Sequence, residues 1–149
     1  MSRNFWVAWL RIAAIGTIGL GLISLAATHP AGATVWHFLF DLVLWSFDEA
    51  PVEFDRDARL LNGITGGVLI GWGVLLTWLA GGPIARGEQG ARRAAMICVT
   101  AWFVGDSLGS LLAGVPGNVV LNLGFFLLFM IPLIALGTKA NARPAAQMP

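Results

Sequence analysis

"LLNGITGGVLIGWGVLLTWLA", residues 60 to 80, carries no charged side chain and stops at Gly81-Gly82-Pro83. An apolar run of about 20 residues is the length a helix needs to cross a hydrocarbon core of ~30 Å at ~1.5 Å per residue. The composition asks the same of the rest of the chain. Its 149 residues are 57% hydrophobic and 11% charged, with a mean hydropathy of +0.77, which leaves too little polar surface for a soluble domain of this size.

Three more stretches reach spanning length: Phe5 to Ala27, Ala94 to Ala113 and Val119 to Gly137. Residues that end helices separate them. Thr28-His29-Pro30 follows the first, and Gly114-Val115-Pro116-Gly117 leaves only a tight turn between the last two. The expected fold is all-α: a single integral membrane domain built as an antiparallel four-helix bundle. Arg3 before an apolar run and Ala31-Gly32-Ala33 also fit a cleaved leader. The run exceeds an ordinary signal core, and a retained span is expected.

Basic residues set the orientation, because Lys and Arg gather in short cytoplasmic loops. Arg3, Arg11, Arg86, Arg92, Arg93, Lys139 and Arg143 fall on one side and only Arg56 and Arg59 on the other. Both termini are therefore expected inside a bacterial cytoplasmic membrane, with the loop between the first two spans outside. Within that loop, "TVWHFLFDLVLWSFD" (34 to 48) is too short to span. Thr34, His37, Asp41 and Asp48 share one helical face, which predicts an amphipathic interfacial helix with Trp36 and Trp45 at the headgroups. The polar tail at about 140–149 is expected to be disordered. "SLAATHPAG" (24 to 32) and "SLLAGVPGN" (110 to 118) share Ser, Leu, Ala and Pro at the same offsets, an echo equally explained by shared helix-end punctuation.

Helices in lipid associate through close backbone approach, which small residues four apart permit. Gly63, Gly67 and Gly71 form such a stripe on the second span, and Ala101, Gly105, Gly109 and Ala113 another on the third. Pro132 removes a backbone donor inside the fourth.

Asp106 lies in the third span, about 20 Å from Arg93 at ~1.5 Å per residue, in the outer half of the membrane. An Asp at depth costs about 2.5–3.5 kcal/mol on insertion scales and needs partners. Ser110, Asn118, Asn122, Asn62, Thr65 and Ser24 lie at similar depth, Arg59 stands at the outer mouth of the second span, and Trp72 and Trp102 are candidate pocket walls. Three roles compete for this polar layer. It fixes which helix faces which. It lines an outer-leaflet pocket for an apolar molecule with one polar end, such as a lipid, quinone, terpenoid or pigment. Or Asp106 handles protons, although no second carboxylate and no histidine lies within a span.

His29 and His37 are the remaining metal or pigment ligands to weigh, with Asp41 placed to hold the second ring nitrogen of His37. Lone interfacial histidines more often cap helices or face water, so no metal site is expected. The acidic run Asp48 to Asp57 lacks the spacing of a calcium loop. A single cysteine, Cys98, excludes an intrachain disulfide, and the net charge of +1 with no basic run excludes a nucleic-acid surface.

The arginine-led first helix "RIAAIGTIGLGLISLAATHP", followed by an outer loop and three further helices, resembles small bacterial inner-membrane proteins of the DoxX-like kind. The lysine expected near the end of helix 1 in DoxX proper is absent. The resemblance implies an accessory role beside redox enzymes. The expectation is thus a non-enzymatic accessory subunit that contacts lipids and other membrane chains or its own copies, with an apolar-ligand carrier and a proton-handling enzyme as alternatives.

Overall fold

A computed structural model describes residues 1–45 and 54–138, which are helical with short connections and contain no strand among them. Helix α1 is Arg3–Ala26, followed by a 3-10 turn, Pro30–Gly32, and by α2, Ala33–Leu44. Helix α3 is Arg56–Gly81, α4 the single turn Pro83–Arg86, α5 Gln89–Leu112 and α6 Pro116–Thr138. Four of these, counting α3 and α4 together, are long and apolar enough to cross a membrane. The expected disordered tail, Lys139, Arg143, and residues 46–53 of the interfacial and acidic segments lie outside the described residues.

The helices start where backbone N–H groups find caps. Ser2 accepts from Phe5 N at 3.2 Å and Asp55 from Ala58 N at 2.7 Å, while Pro83 and Pro116 open α4 and α6, where a missing N–H costs nothing. Helix α5 ends in a Schellman turn: Gly114, at φ 74°, donates to Leu111 O at 3.0 Å, and Val115 donates to Ser110 O at 2.9 Å. This turn folds α6 back along α5.

Helix α1 packs along most of α3, and α5 along α6, with α6 also against α1 and α2. Gly66 and Gly73 set the α1–α3 contact. A Cβ on Gly66 would stand 2.7 Å from Gly21 O, and one on Gly73 2.8 Å from Ala14 O. Ala14 and Gly21 on α1 are seven residues apart, as are Gly66 and Gly73 on α3, and one heptad is the repeat of a coiled-coil seam. Within the single chain the seam does not follow the four-residue stripe. Gly63 meets only Thr28 Cγ2 at 3.4 Å, and a Cβ on Gly67, Gly71, Gly105 or Gly109 would meet nothing within 4 Å.

Arg3 ties the start of α1 to α4, its guanidinium donating to Ala85 O at 3.2 Å and Ile84 O at 2.8 Å. Arg92 donates to Leu133 O on α6 at 3.1 Å. Arg3 and Arg92 thus gather at one end of the helices, opposite Arg56 and Arg59 at the start of α3. The dry core lies in that half too, built from Leu10, Ala14, Leu76, Ile84, Val99, Phe129, Leu133 and Leu136.

Pro132 cannot donate to Leu128 O four residues earlier, and the Trp9 indole N–H takes up that carbonyl at 3.0 Å. Trp9→Phe is expected to lower stability by about 1 kcal/mol, near the range of interhelical hydrogen bonds measured in membranes. In a Pro132→Ala background, where the helix supplies its own donor, the same change is expected to cost less. Denaturant titration of the four variants in detergent checks the coupling.

Candidate functional site

Beside the dry core, the backbones of α3 and α5 stay apart and side chains bridge the interval. Trp72 of α3 and Trp102 of α5 meet with ring centroids 5.6 Å apart, and Phe129 of α6 stands 5.7 Å from Trp72. Beyond these rings opens a cavity of about 910 Å3 lined by all five longer helices. Most of its wall is aliphatic or aromatic, including Leu20, Val68, Leu69, Leu121 and Phe125.

Its polar groups gather toward the α5–α6 turn. Asn118, brought back by the Schellman turn, donates from Nδ2 to Asp106 Oδ1 at 3.0 Å and to Ser110 Oγ at 2.8 Å. The Ser110 hydroxyl lies 2.8 Å from the Asp106 carbonyl oxygen and 3.2 Å from Oδ1, so it closes a three-residue cluster. Asp106 is half-buried and faces the cavity. Asn122, one turn beyond Asn118, is only 3% exposed, and its Nδ2 finds no hydrogen-bond partner among the described residues.

The polar layer expected from the sequence therefore divides. Asp106, Ser110 and Asn118 come together, and Asn122 and Thr65 line the same cavity. Asn62 does not join them: its main-chain oxygen accepts from the buried Ser24 hydroxyl at 2.9 Å, a separate α1–α3 link. Arg59 does not reach the cluster either, its guanidinium lying 3.4 Å from Asp55 O on its own helix. Trp72 and Trp102 both line the cavity.

Helix α2 contributes a wall where its spacing predicts an interfacial helix. Trp36, Leu39, Phe40 and Val43 recur at the i, i+3, i+4, i+7 positions of one face, and that face lines the cavity. Trp36, expected at the headgroups, has its indole N–H buried, with no hydrogen-bond partner among the described residues. The helical period of "TVWHFLFDLV" carries this signal, but amphipathicity does not say whether the apolar side meets lipid or protein. Gly117 at the start of α6 seats the helix, since a Cβ there would collide with Val43 O.

The histidines take other work. His29 Nδ1 accepts from Ala31 N at 3.2 Å and caps the 3-10 turn. His37 stacks on Phe54 at 4.4 Å. Among the described residues no three of His, Cys, Asp or Glu are grouped to hold a metal ion.

Asp106→Leu is expected to cost about 1 kcal/mol, because it removes the Oδ1 acceptor that Asn118 and Ser110 share, while Asn118 keeps Ser110 Oγ and Ser110 keeps the main-chain carbonyl of residue 106. The double variant Asp106→Leu/Asn118→Leu removes an acceptor and its donor together and is expected to cost no more than the single one. Chemical denaturation of the purified variants distinguishes this coupled cluster from independent contacts.

Comparison with family models, with curated proteins and with solved structures finds no match to this chain.

Proposed function

We propose that the chain is a multi-pass protein of a bacterial cytoplasmic membrane, its four long helices forming an antiparallel bundle with both termini inside, and that it binds an apolar molecule between α3 and α5. One observation carries the binding reading: a cavity of about 910 Å3 has a mostly hydrocarbon and aromatic wall with a carboxyl, hydroxyl and amide cluster toward one end. Sites for small apolar ligands have this make-up, an apolar body with a few fixed polar groups to orient the guest. The gathering of Arg3, Arg11, Arg86 and Arg92 at the opposite end supports the cytoplasmic placement of that end.

Gly109 lines the cavity and has open space around its missing side chain, so Gly109→Phe fills the cavity with little strain on the fold. Solvent extraction and mass spectrometry of protein purified in mild detergent test the reading. Wild type is expected to yield an apolar compound in stoichiometric amount and Gly109→Phe to lose it. Equal recovery of bulk phospholipid alone from both would sink the proposal.

A second reading keeps the accessory role implied by the DoxX-like plan. Gly67 and Gly71 are exposed, and a side-chain carbon at either would meet nothing within 4 Å. Such a face admits a helix of another chain. If the protein migrates as a lone 15.8 kDa chain after gentle solubilisation, that reading loses its support.

A further inference from the structure

The polar cluster in the cavity wall has one oxygen to spare. Asp106 Oδ1 takes both side-chain bonds, from Asn118 at 3.0 Å and from Ser110 at 3.2 Å. Oδ2 accepts from no described residue. On this half-buried side chain it is not among the atoms sealed from water without a partner. An open acceptor on a cavity-lining carboxyl group calls for a donor, and the protein supplies none.

Charge sharpens the demand. Among the described residues lining the cavity there is no Lys, Arg or His, and Asp106 is the one acidic side chain. Arg59 is turned onto Asp55 O of its own helix, and the ion pair among the described residues joins Arg86 to Glu88. A carboxyl group within a span is costly without a counter-charge.

The rest of the wall suits a cation. Trp102 lies one helical turn before Asp106 on α5, Trp72 packs on it at 5.6 Å, and Trp36 and Phe40 line the same space from α2. Aromatic faces attract ammonium groups, and more strongly where water is excluded. An anionic head would meet a carboxyl group and no counter-charge. A hydroxyl head could donate to Oδ2, yet it would bring no charge to the carboxyl and no cation to the rings.

Resting on the binding reading above, we infer that the guest is a lipophilic amine in its protonated form, whose ammonium N–H donates to Asp106 Oδ2 while its hydrocarbon part lies along the indoles. Asn118 and Ser110 are positioning residues, since they hold Oδ1 and leave Oδ2 for the guest. Fatty acids are the class most strongly discriminated against.

Tritiated dodecylamine, dodecanol and dodecanoic acid share one chain length and differ in the head. Their binding to the full chain in non-ionic detergent is measured at about pH 7, where an alkylammonium is charged. The amine is expected to bind roughly tenfold more tightly than the alcohol, because a charge-assisted hydrogen bond is about twice as strong as a neutral one. The acid is expected to bind more weakly than the alcohol.

Asp106→Asn keeps an acceptor oxygen and removes the charge. It is expected to bring the amine down to the affinity of the alcohol and to leave the alcohol unchanged, which also shows that the variant keeps its cavity. Should it fail to fold, the wild-type order decides alone. Gly109→Phe is expected to abolish binding of amine and alcohol together. Equal affinity for amine and alcohol in wild type, tighter binding of the acid, or an amine that Asp106→Asn holds as tightly overturns the amine inference, and the cavity reading stands if Gly109→Phe still blocks the alcohol. Binding of none of the three, or binding that Gly109→Phe leaves unchanged, takes the cavity reading down with it.

Discussion

Gly66→Val is expected to cost on the order of 3 kcal/mol of stability, whereas Gly67→Val, one residue further along the same helix, is expected to change it by less than about 0.5 kcal/mol. The chemistry of the two substitutions is identical and only the facing differs. At Gly66 even a first carbon would stand 2.7 Å from Gly21 O and 2.8 Å from Leu25 N, both backbone atoms of α1 that cannot rotate aside. The two helices would have to separate along a contact that also holds Gly73 and the Ser24–Asn62 hydrogen bond. At Gly67 nothing stands within 4 Å. Denaturant titration of both variants in one detergent decides the matter. Equal losses would mean that the α1–α3 seam runs through another face of α3.

Gly117→Leu is expected to loosen α2 without unfolding the long helices. The new side chain would occupy the place of the Val43 carbonyl, and it would press on Trp45, whose ring already lies 3.4 Å from the position of a Cβ. Overpacking of this kind costs roughly 1–3 kcal/mol. Helix α2 is the element to yield, since its contacts with α6 and α1 are far fewer than those between α1 and α3. Amide exchange over residues 39–44 is therefore expected to lose protection by roughly thirtyfold, corresponding to about 2 kcal/mol of easier local opening. Gly124→Leu on the same helix, where nothing lies within 4 Å, serves as the control and is expected to leave that exchange unchanged. If Gly117→Leu leaves it unchanged as well, α2 is not seated on Gly117.

Helix number and approximate limits are legible in the chain because length and apolarity are local properties, each readable from one stretch. The ends are less so. Asp55 and Ser2 cap α3 and α1 ahead of the apolar runs, so α3 begins at Arg56 and α1 at Arg3, several polar residues before hydropathy registers a helix. Facing is the harder quantity. Five glycines fall between residues 63 and 73 of α3, and a four-residue spacing selects Gly63, Gly67 and Gly71 from them. The contact uses Gly66 and Gly73 because its partner, α1, offers Ala14 and Gly21 at the matching seven-residue interval. Only the two helices read together expose that register.

The site divides along the same line. Ser110 lies one turn from Asp106 on a single helix, so helical geometry alone puts them together. Asn118 joins them through the tight turn at Gly114, also a local signal. Trp36 arrives from a helix whose placement depends on Gly117, a residue whose importance shows only once α2 and α6 are seen in contact.

The chamber is narrowed by the side chains of Trp72 and Trp102 and not by main chain. Its depth is in consequence a side-chain setting: exchanging an indole for leucine would lengthen the space by shortening a plug, with no helix obliged to shift. The room between the helices can then drift by single substitutions while the scaffold stays as it is, and the two indoles act as a ruler set into a fixed frame.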